Sequence, residues 1–279
     1  MWTNPFSGRA WAAYSGWAWS MQGVCACWWG GRSDGHWRNG LWVWVSAVYD
    51  GCNDRLIAVS APDLVIFDCD GVLIDSEVIA CRTDAACLAE VGIAITAEEI
   101  MERYVGVSMA SMLADIQARH GKVLPDDFAA TLRRRIAAAF EVGLRPMDGV
   151  EAVLVALTSR VCVASSSVPE RLLHSLSLVR LLHYFDPHVF SATQVSRGKP
   201  APDLFLFAAE RMGATAEECL VIEDSSAGVR AAVAAGMRVV GFVGGGHCRP
   251  GHAERLMEAG AAAVFDHMGQ FGGLLLRLA

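Results

Sequence analysis

Short apolar runs alternate with helical patterns along most of the chain from residue 62 onward. The runs are rich in β-branched residues, as buried parallel strands are. They are Leu64–Asp68, Val161–Ser165, Cys219–Glu223, Arg238–Phe242 and Ala262–Phe265. Apolar residues recur at helical spacing in Glu170–Ser177, Asp203–Met212, Ala227–Ala235 and Ala253–Ala259. This alternation predicts an α/β fold built on a doubly wound, Rossmann-like parallel sheet.

Residues 76–146 separate the first apolar run from the second, and their pattern is helical throughout. The predicted helices are Glu77–Val91, Ala97–Tyr104, Ser108–His120 and Asp126–Val142, and glycines lie near their ends. We therefore expect a small helical cap domain, residues 76–146, inserted into a core domain made of residues 61–75 and 147–279. Residues 269–279 form a tail to which no element is assigned.

The first sixty residues differ from the rest in composition. All nine tryptophans lie between Trp2 and Trp44, and residues 1–60 contain neither Glu nor Lys and follow no helical or strand period. Residues 10–31 are uncharged and long enough to span a membrane, but they lack Leu and Ile and are interrupted by Gly and Ser. A membrane role is therefore disfavoured, and we expect residues 1–60 to lie outside the fold.

The use of basic residues suggests an origin for this preamble. The chain has 21 Arg but only two Lys, Lys122 and Lys199, which is a bias typical of GC-rich genes. Translated non-coding sequence of such a gene would be rich in Trp, Gly and Arg. Our hypothesis is that the native start lies near Val59.

Charge and cysteine content exclude several classes of protein. The 279 residues carry a net charge of −7, so nucleic acid is not an expected partner. The chain has nine cysteines but no CxxC motif, and we expect no paired Cys/His cluster. This disfavours a disulfide framework or a zinc site. Buried, reduced thiols in a cytoplasmic protein are expected; the oligomeric state stays open.

Acidic residues follow the first predicted strand. Asp68 and Asp70 stand two residues apart, and Gly71 permits a tight turn after them. A carboxylate at a strand end can serve as a nucleophile and a metal ligand, while its neighbour exchanges protons. An ordinary acidic turn is the alternative.

Polar residues also follow the later strands. Ser165, followed by Ser166, ends the second run and could hold a phosphoryl oxygen or simply cap a helix. Lys199 lies in a loop stiffened by prolines, although a solvated surface lysine is the alternative. Glu223 and Asp224 follow the third run, where they could bind a metal or cap the next helix.

Taken together, these segments resemble the haloacid dehalogenase superfamily, in the branch with a helical cap after the first motif. The segment DCDGVLIDSE is similar to its first motif, VAS at Ser165 to the second, GKPAPD at Lys199 to the third and IEDSSAG to the fourth. The four motifs occur in order over about residues 64–265. Residues 1–60 have no counterpart in the resemblance.

The resemblance implies a role for each site residue. Asp68 would attack phosphorus and become an aspartyl phosphate, and Asp70 would act as general acid and then as general base. Ser165, Ser166 and Lys199 would bind phosphoryl oxygens. The implied cofactor is Mg²⁺, and the residues implied to hold it are Asp68, the carbonyl of Asp70, Asp224 and Glu223, the last in an outer position.

Departures from the family pattern favour one branch. An acid at Asp70 disfavours true dehalogenases and phosphonoacetaldehyde hydrolases. β-Phosphoglucomutases usually carry Arg where this chain has Met109 and His where it has Ala80. Residues 181–185 and the cap length resemble sugar-phosphate phosphatases, including 6-phosphogluconate phosphatase. The expected function is a Mg²⁺-dependent phosphatase acting on a small phosphorylated metabolite; a phosphosugar mutase and a non-catalytic phosphate-binding regulator are the alternatives.

Overall fold

A computed structural model describes residues 46–50, 55–59 and 62–278. Eight strands lie in these ranges. They are β1 (Ser46–Asp50), β2 (Arg55–Val59), β3 (Leu64–Phe67), β4 (Arg160–Ser165), β5 (Val189–Ser191), β6 (Cys219–Glu223), β7 (Arg238–Phe242) and β8 (Val264–Phe265).

Six of these strands form one parallel sheet in the order β5-β4-β3-β6-β7-β8. The chain leaves β3 toward β4 on one side and later returns to β6 on the other, so the strand order reverses at β3. In open α/β sheets, ligands bind at such a reversal, beyond the carboxyl ends of the strands. The predicted doubly wound sheet is confirmed, and it places its reversal next to Asp68.

The same described ranges contain ten α-helices. They are α1 (Glu77–Glu90), α2 (Ala97–Tyr104), α3 (Met109–His120), α4 (Phe128–Gly143), α5 (Val150–Ala156), α6 (Pro169–Leu178), α7 (Asp203–Met212), α8 (Ser226–Ala234), α9 (His252–Glu258) and α10 (Phe271–Leu278). Helices α1 to α4 lie between β3 and β4 in the chain and are called the helical insert below. None of the helices in the described ranges is long and apolar enough to cross a membrane.

Most predicted elements match the observed ones to within two residues at each end. Three elements of the sheet region were not predicted, and each is short or atypical. Strand β5 has only three residues, and α5 has only seven, which is too little chain for a clear period. Helix α10 begins with two glycines after Phe271, a composition typical of a loop, yet Phe271 and Leu274 bury one face of it.

Part of the first sixty residues forms strands, although no strand period was identified there. Strands β1 and β2 pair antiparallel, with Ser46 opposite Val59 and Asp50 opposite Arg55. Both segments contain β-branched or aromatic residues, and the link between them, GCND, has the composition of a turn. The rest of residues 1–60 lies outside the described residues. The hypothesis of a native start near Val59 mainly concerns these residues and stays a hypothesis.

Two apolar layers cover the two faces of the sheet. Along β3, Val65 and Phe67 pack into one layer, and Leu64 and Ile66 pack into the other, as the two-residue period of a strand requires. The first layer continues without a break into the helical insert, for example through Leu88 of α1. The insert and the sheet therefore share a core, which holds the insert over the carboxyl edge of the sheet.

Helix α6 offers a direct test of this packing. Leu176 is 0% exposed, whereas Leu173 on the same helix is 43% exposed. We expect Leu176→Ala to lower the free energy of unfolding by about 2–5 kcal/mol, because it removes apolar contacts and leaves a cavity. Leu173→Ala should change it by less than about 1 kcal/mol. Denaturant unfolding of both variants measures the difference, and equal losses would contradict the assigned orientation of α6.

Candidate active site

Asp68 occupies the first position beyond the central strand. Its main-chain N–H donates to the carbonyl of Ile222 on β6 (3.0 Å), so the ladder of the sheet extends to this residue. The side chain is almost fully buried. The carboxylate is therefore held at the reversal of strand order by the backbone of the sheet itself.

Lys199 joins Asp68 to the end of the neighbouring strand. Its ammonium donates to Asp68 Oδ1 (2.7 Å), to Glu223 Oε1 (2.6 Å) and to the carbonyl of Ala164 (2.9 Å). The side chain is 4% exposed and lies over the ring of Phe205. The alternative of a solvated surface lysine is therefore excluded, and the carbonyl of Ala164 links Lys199 to β4.

Asp70 is held by three donors from outside its own turn. Its carboxylate accepts hydrogen bonds from Ser76 Oγ (2.5 Å), Ser167 Oγ (2.6 Å) and the Arg171 guanidinium (2.8 Å). The guanidinium also lies 5.1 Å from the ring centroid of Phe140 in α4. Asp70 is thus connected to the end of β4, to α6 and, through Phe140, to the helical insert.

Asp224 packs against the turn that carries Asp70. A Cβ built at Gly71 would lie 1.8 Å from Asp224 Oδ2, and the φ of Gly71 is +79°. Only glycine combines that backbone conformation with so close an approach. One oxygen from each of Asp68, Glu223 and Asp224 falls within 4.8 Å of the others, so three buried carboxylates converge at this point.

Glu223 and the serines differ in how they face the site. Glu223 is fully buried; Oε1 accepts from Lys199 and Oε2 accepts from the N–H and Oγ of Ser225. Ser165 is buried, and its Oγ accepts from the N–H of Ser167 (3.2 Å). Ser166 is exposed on the cavity wall. All the site residues predicted from the sequence therefore lie at one edge of the sheet.

A cavity of about 620 Å³ opens between this edge and the helical insert. The residues predicted from the sequence that line it are Asp68, Asp70, Ser165, Ser166, Lys199 and Asp224. The insert contributes apolar, acidic and basic side chains, among them Ala80, Asp84, Met109, Arg133 and Phe140. A volume of this size suits a small-molecule ligand.

Burial and neighbouring charges shift the pKa values of Asp68 and Asp70 in opposite directions. Burial raises the pKa of Asp68 well above its ordinary value, and Lys199 offsets this only in part. Burial also opposes the ionisation of Asp70, but the charge of Arg171 and the hydrogen bonds from Ser167 and Ser76 outweigh it and lower the pKa. Asp70 is therefore ionised more readily than Asp68 in the metal-free site.

Two of the residues that hold Asp70 were not identified from the sequence. They are Ser167 and Arg171. Arg171 lies on the first turns of α6, five residues beyond Ser166, and a basic residue there carries no motif of its own. Its one available signal was an Arg in a helix that begins at the carboxyl end of a strand.

A second group of titratable residues adjoins Asp224, contrary to the expectation of no paired Cys/His cluster. His247 Nε2 lies 3.0 Å from Asp224 Oδ2 and 3.5 Å from Cys248 Sγ, and His252 Nε2 donates to the carbonyl of Asp224 (2.6 Å). Burial opposes the charge on His247, but the hydrogen bond to Asp224 raises its pKa to about 11. The spacing HCxxxH was the sequence signal, and it was overlooked because no CxxC accompanies it.

The family model of haloacid dehalogenase-like hydrolases matches residues 62–236. This chain belongs to the haloacid dehalogenase-like hydrolases. The match spans β3 to β6, the helical insert and the four motifs, and β7 and β8 follow it. The family membership predicted from the sequence is confirmed. The phosphatases among its relatives agree with the prediction that this hydrolase is a phosphatase.

Two relatives illustrate how far the similarity of this hydrolase extends. It is 35% identical over 193 residues to 6-phosphogluconate phosphatase of Escherichia coli, which covers 69% of this chain and 87% of that protein. It is 32% identical over 207 residues to a phosphorylated carbohydrates phosphatase of Thermotoga maritima, with 72% and 93% covered. Both alignments span most of the relative.

Solved structures agree with this assignment of the hydrolase. A haloacid dehalogenase-like protein of unknown function from Agrobacterium tumefaciens matches with a TM-score of 0.71 at 38% identity, covering 77% of this chain and 98% of that one. A Thermotoga maritima protein described as a β-phosphoglucomutase matches with a TM-score of 0.63 at 28% identity, covering 78% and 100%. The fold alone therefore does not separate a phosphatase from a mutase.

Asp84 of this hydrolase has a pKa that predicts a pH-dependent stability. The side chain is 6% exposed, Oδ1 has no hydrogen-bond partner, and burial raises the pKa from 3.8 to about 7. Because the folded-state pKa lies above the unfolded value, ionisation opposes folding. The penalty is absent below about pH 4 and grows by about 1.4 kcal/mol per unit until about pH 7.

We therefore expect Asp84→Asn to stabilise the protein at about pH 8 but not at about pH 4, with an upper limit of roughly 4 kcal/mol. Urea unfolding at the two pH values measures the difference. Asp126→Asn, at an exposed position of the helical insert, is the matched control and should show no such dependence. Equal effects of Asp84→Asn at both pH values would show that this carboxyl group is not buried in the folded state.

Proposed function

We propose that the protein is a Mg²⁺-dependent phosphatase that hydrolyses a small sugar phosphate or similar metabolite through an aspartyl-phosphate intermediate. The observation that carries the proposal is the convergence of Asp68, Asp70, Lys199 and Asp224 on one cavity at the reversal of strand order. Nucleophile, proton-transfer group, cation and metal ligand each have a candidate there. Phosphoryl transfer requires little beyond such positioning and the neutralisation of charge.

Asp68 is the proposed nucleophile. In the first step its carboxylate oxygen attacks phosphorus, the bond to the leaving oxygen breaks, and an acyl phosphate forms. Lys199, already 2.7 Å from Asp68 Oδ1, stabilises the negative charge that gathers on the phosphoryl oxygens. Ser165 and Ser166, at the end of β4, are the proposed donors to those oxygens.

Asp70 is the proposed general acid and base. It gives a proton to the leaving oxygen and then accepts one from the water that hydrolyses the acyl phosphate. The donors Ser76, Ser167 and Arg171 favour its ionised form, which is the form that activates water. Arg171 is a positioning residue in this scheme, because it touches Asp70 rather than the reacting atoms.

The acidic group fits Mg²⁺. Asp68, Asp224 and the carbonyl of Asp70 are hard oxygen donors of the kind Mg²⁺ prefers, and the missing Cβ of Gly71 lets Asp224 approach the turn. Glu223 has both oxygens engaged by Lys199 and Ser225, so its proposed role is outside direct contact with the ion. When bound, Mg²⁺ supplies positive charge that neutralises the transferring phosphoryl group.

The helical insert supplies the features that would recognise a sugar. Asp84 is buried against the cavity with Oδ1 lacking a partner, and a carboxyl group of raised pKa can donate to or accept from a substrate hydroxyl. Arg133 lines the same cavity and makes no ion pair with any residue that the structure describes. It is the proposed contact for a second anionic group, such as the carboxylate of a sugar acid.

Cysteine chemistry supports a reducing compartment. The six cysteines in the described part of the chain are free, and five of them are buried. Free thiols are usual in the cytoplasm and unusual in secreted proteins of this size. We therefore propose a cytoplasmic enzyme.

The decisive experiment is a screen of the purified full-length protein against phosphorylated metabolites in the presence of Mg²⁺. We expect release of inorganic phosphate from one or more sugar phosphates, and we expect EDTA to abolish it. Asp68→Asn should reduce turnover by several orders of magnitude, because the nucleophile is lost while the fold is retained. Asp126→Asn is the control for the substitution itself and should retain activity.

A non-catalytic phosphate-binding regulator is the alternative that this screen tests. Such a protein would bind phosphate without turnover, so neither it nor its Asp68→Asn variant would release inorganic phosphate in the screen. Near-normal turnover by Asp68→Asn would instead contradict the aspartyl-phosphate mechanism.

The contact between Arg171 and Asp70 predicts a shift in the pH profile. Removal of the guanidinium raises the pKa of Asp70, so the Asp70 carboxylate becomes protonated at a higher pH than before. We expect Arg171→Met to move the acid limb of kcat to higher pH by about one unit, and Arg171→Lys to move it less. An unchanged acid limb in Arg171→Met, at any level of activity, would remove Asp70 as the titrating base.

A phosphosugar mutase remains the second candidate, and one observation bears on it. Met109 and Ala80, which replace the Arg and His of mutases, line the cavity, so no mutase-like anchor exists at those two positions. Arg133 offers a cation at a different position. We expect β-glucose 1-phosphate with a trace of the 1,6-bisphosphate to yield inorganic phosphate by phosphorus NMR. Rapid accumulation of glucose 6-phosphate would favour the mutase.

A further inference from the structure

We propose that His247, Cys248 and His252, called the His–Cys–His cluster here, bind a soft divalent cation of the zinc class. The cation takes the Asp224 carboxylate as its fourth ligand and so withdraws Asp224 from the proposed Mg²⁺ site. The inhibition that follows rests on the proposed function. The binding itself does not, and it can be measured in the absence of any substrate.

The spacing of the donor atoms suits a tetrahedral site. Zinc lies about 2.0–2.1 Å from imidazole nitrogen and about 2.3 Å from thiolate sulfur, so tetrahedral angles place two such ligands about 3.5 Å apart. His247 Nε2 lies 3.5 Å from Cys248 Sγ. One donor atom from each of His247, Cys248 and His252 falls within 4.8 Å of the others. Asp224 Oδ2, 3.0 Å from His247 Nε2, is at hand as the fourth ligand.

The loop after β7 holds the central ligand in place before any metal arrives. A Cβ at Gly71 would lie 2.9 Å from His247 Cε1, and a Cβ at Gly245 would lie 2.7 Å from it. The imidazole is therefore packed directly against two glycine backbones and cannot turn freely. Its Nδ1 is buried and has no hydrogen-bond partner among the described residues, whereas its Nε2 faces Asp224 and Cys248.

The other two members of the cluster complete the site and provide access. Gly251 has a φ of +83° and begins α9, which turns the chain so that His252 faces back toward Asp224. His247 is 4% exposed, whereas Cys248 and His252 are half-buried. A cation can therefore enter from solvent past the thiol and reach a buried imidazole.

Donor chemistry separates this cluster from its acidic neighbour. Two imidazoles and a thiolate are borderline to soft ligands that favour Zn²⁺, whereas the carboxylates of Asp68 and Asp224 favour Mg²⁺. Binding replaces the protons held by the thiol of Cys248 and by the ligating imidazole nitrogens, and these protons pass to solvent. No oxidant or other reactant is needed.

Asp224 couples the two sites. Its carboxylate contacts His247, and its main-chain carbonyl accepts from His252, so both imidazoles of the cluster touch the same proposed Mg²⁺ ligand. A carboxylate oxygen that binds zinc carries less charge to offer Mg²⁺. Zinc and magnesium should therefore compete through this one residue although their sites differ.

The binding test uses Co²⁺ as a spectroscopic substitute on the full-length, metal-free protein. We expect one Co²⁺ per chain to give a thiolate-to-cobalt charge-transfer band, which carboxylate ligands cannot produce. Cys248→Ser should abolish the band and weaken zinc binding, measured by calorimetry, by at least about tenfold. Substitution of Cys25, Cys27 and Cys52 by Ser is the matched control and should leave the band intact. His252→Asn, checked for folding by circular dichroism, provides a second loss of ligand.

The inhibition test uses the substrate identified in the screen. We expect Zn²⁺ to inhibit Mg²⁺-supported turnover and excess Mg²⁺ to relieve the inhibition. In Cys248→Ser, compared with its own zinc-free rate, inhibition should require at least about tenfold more zinc. Zinc that binds through Cys248 without inhibiting would overturn the sharing of Asp224.

These experiments distinguish a failure of the His–Cys–His site from a failure of the proposed function. A cobalt band that persists in Cys248→Ser, or its absence from the unsubstituted protein, would overturn the His–Cys–His site whatever the enzyme does. A protein that binds Co²⁺ through Cys248 but hydrolyses no phosphate ester would support the site and contradict the proposed function.

Discussion

A single buried ammonium group holds the centre of this protein together. Lys199 reaches from the loop after β5 to Asp68, Glu223 and the carbonyl of Ala164, so it joins the ends of three neighbouring strands. Removing one partner from such a buried ion pair typically costs about 3–5 kcal/mol, because an uncompensated charge stays behind. Without Lys199, the carboxylates at the reversal of strand order would repel one another at close range.

The same arrangement explains why the site suits a divalent cation. Asp68, Glu223 and Asp224 converge within a buried volume, and Lys199 supplies one positive charge against three carboxylates. Burial raises the pKa of Asp68, and the negative charges of Glu223 and Asp224 raise it further. A metal ion would reverse that shift and leave Asp68 ionised as a nucleophile. Asp70 escapes the shift because Arg171, Ser167 and Ser76 surround it with donors.

Local sequence predicted the parts of the molecule in which local pattern and tertiary structure agree. Strand β6 and helices α2 and α7 match residue for residue, because an apolar period and clear boundaries coincide there. Strand β5 could not be predicted, since three residues carry no period, and its existence depends on β4 providing a partner. Helix α10 forms although it contains two glycines, because the burial of Phe271 and Leu274 outweighs the low helix propensity of glycine.

The residues of the candidate site also differ in how well the local sequence indicates them. Residues that belong to contiguous motifs, such as Asp68, Asp70 and Lys199, could be identified because their spacing relative to a strand is characteristic. Arg171 could not, since it acts on Asp70, 101 residues away in the sequence. For His247 the spacing HCxxxH indicated a cluster, but its contact with Asp224 could not be predicted. Such contacts are created by the topology of the sheet, and a lone Arg or His in the chain does not indicate them.

The backbone bond from Asp68 to Ile222 has a consequence for how proteins of this architecture diversify. Because the main chain of Asp68 forms the last rung of the sheet ladder, its position is set by hydrogen bonds between β3 and β6 rather than by a hydrogen bond to the helical insert. Side chains such as Asp84, Met109 and Arg133 can therefore be exchanged without displacing the main chain of Asp68. Under the proposed function, substrate selectivity depends on the insert and reactivity on the edge of the sheet, so the two can change independently.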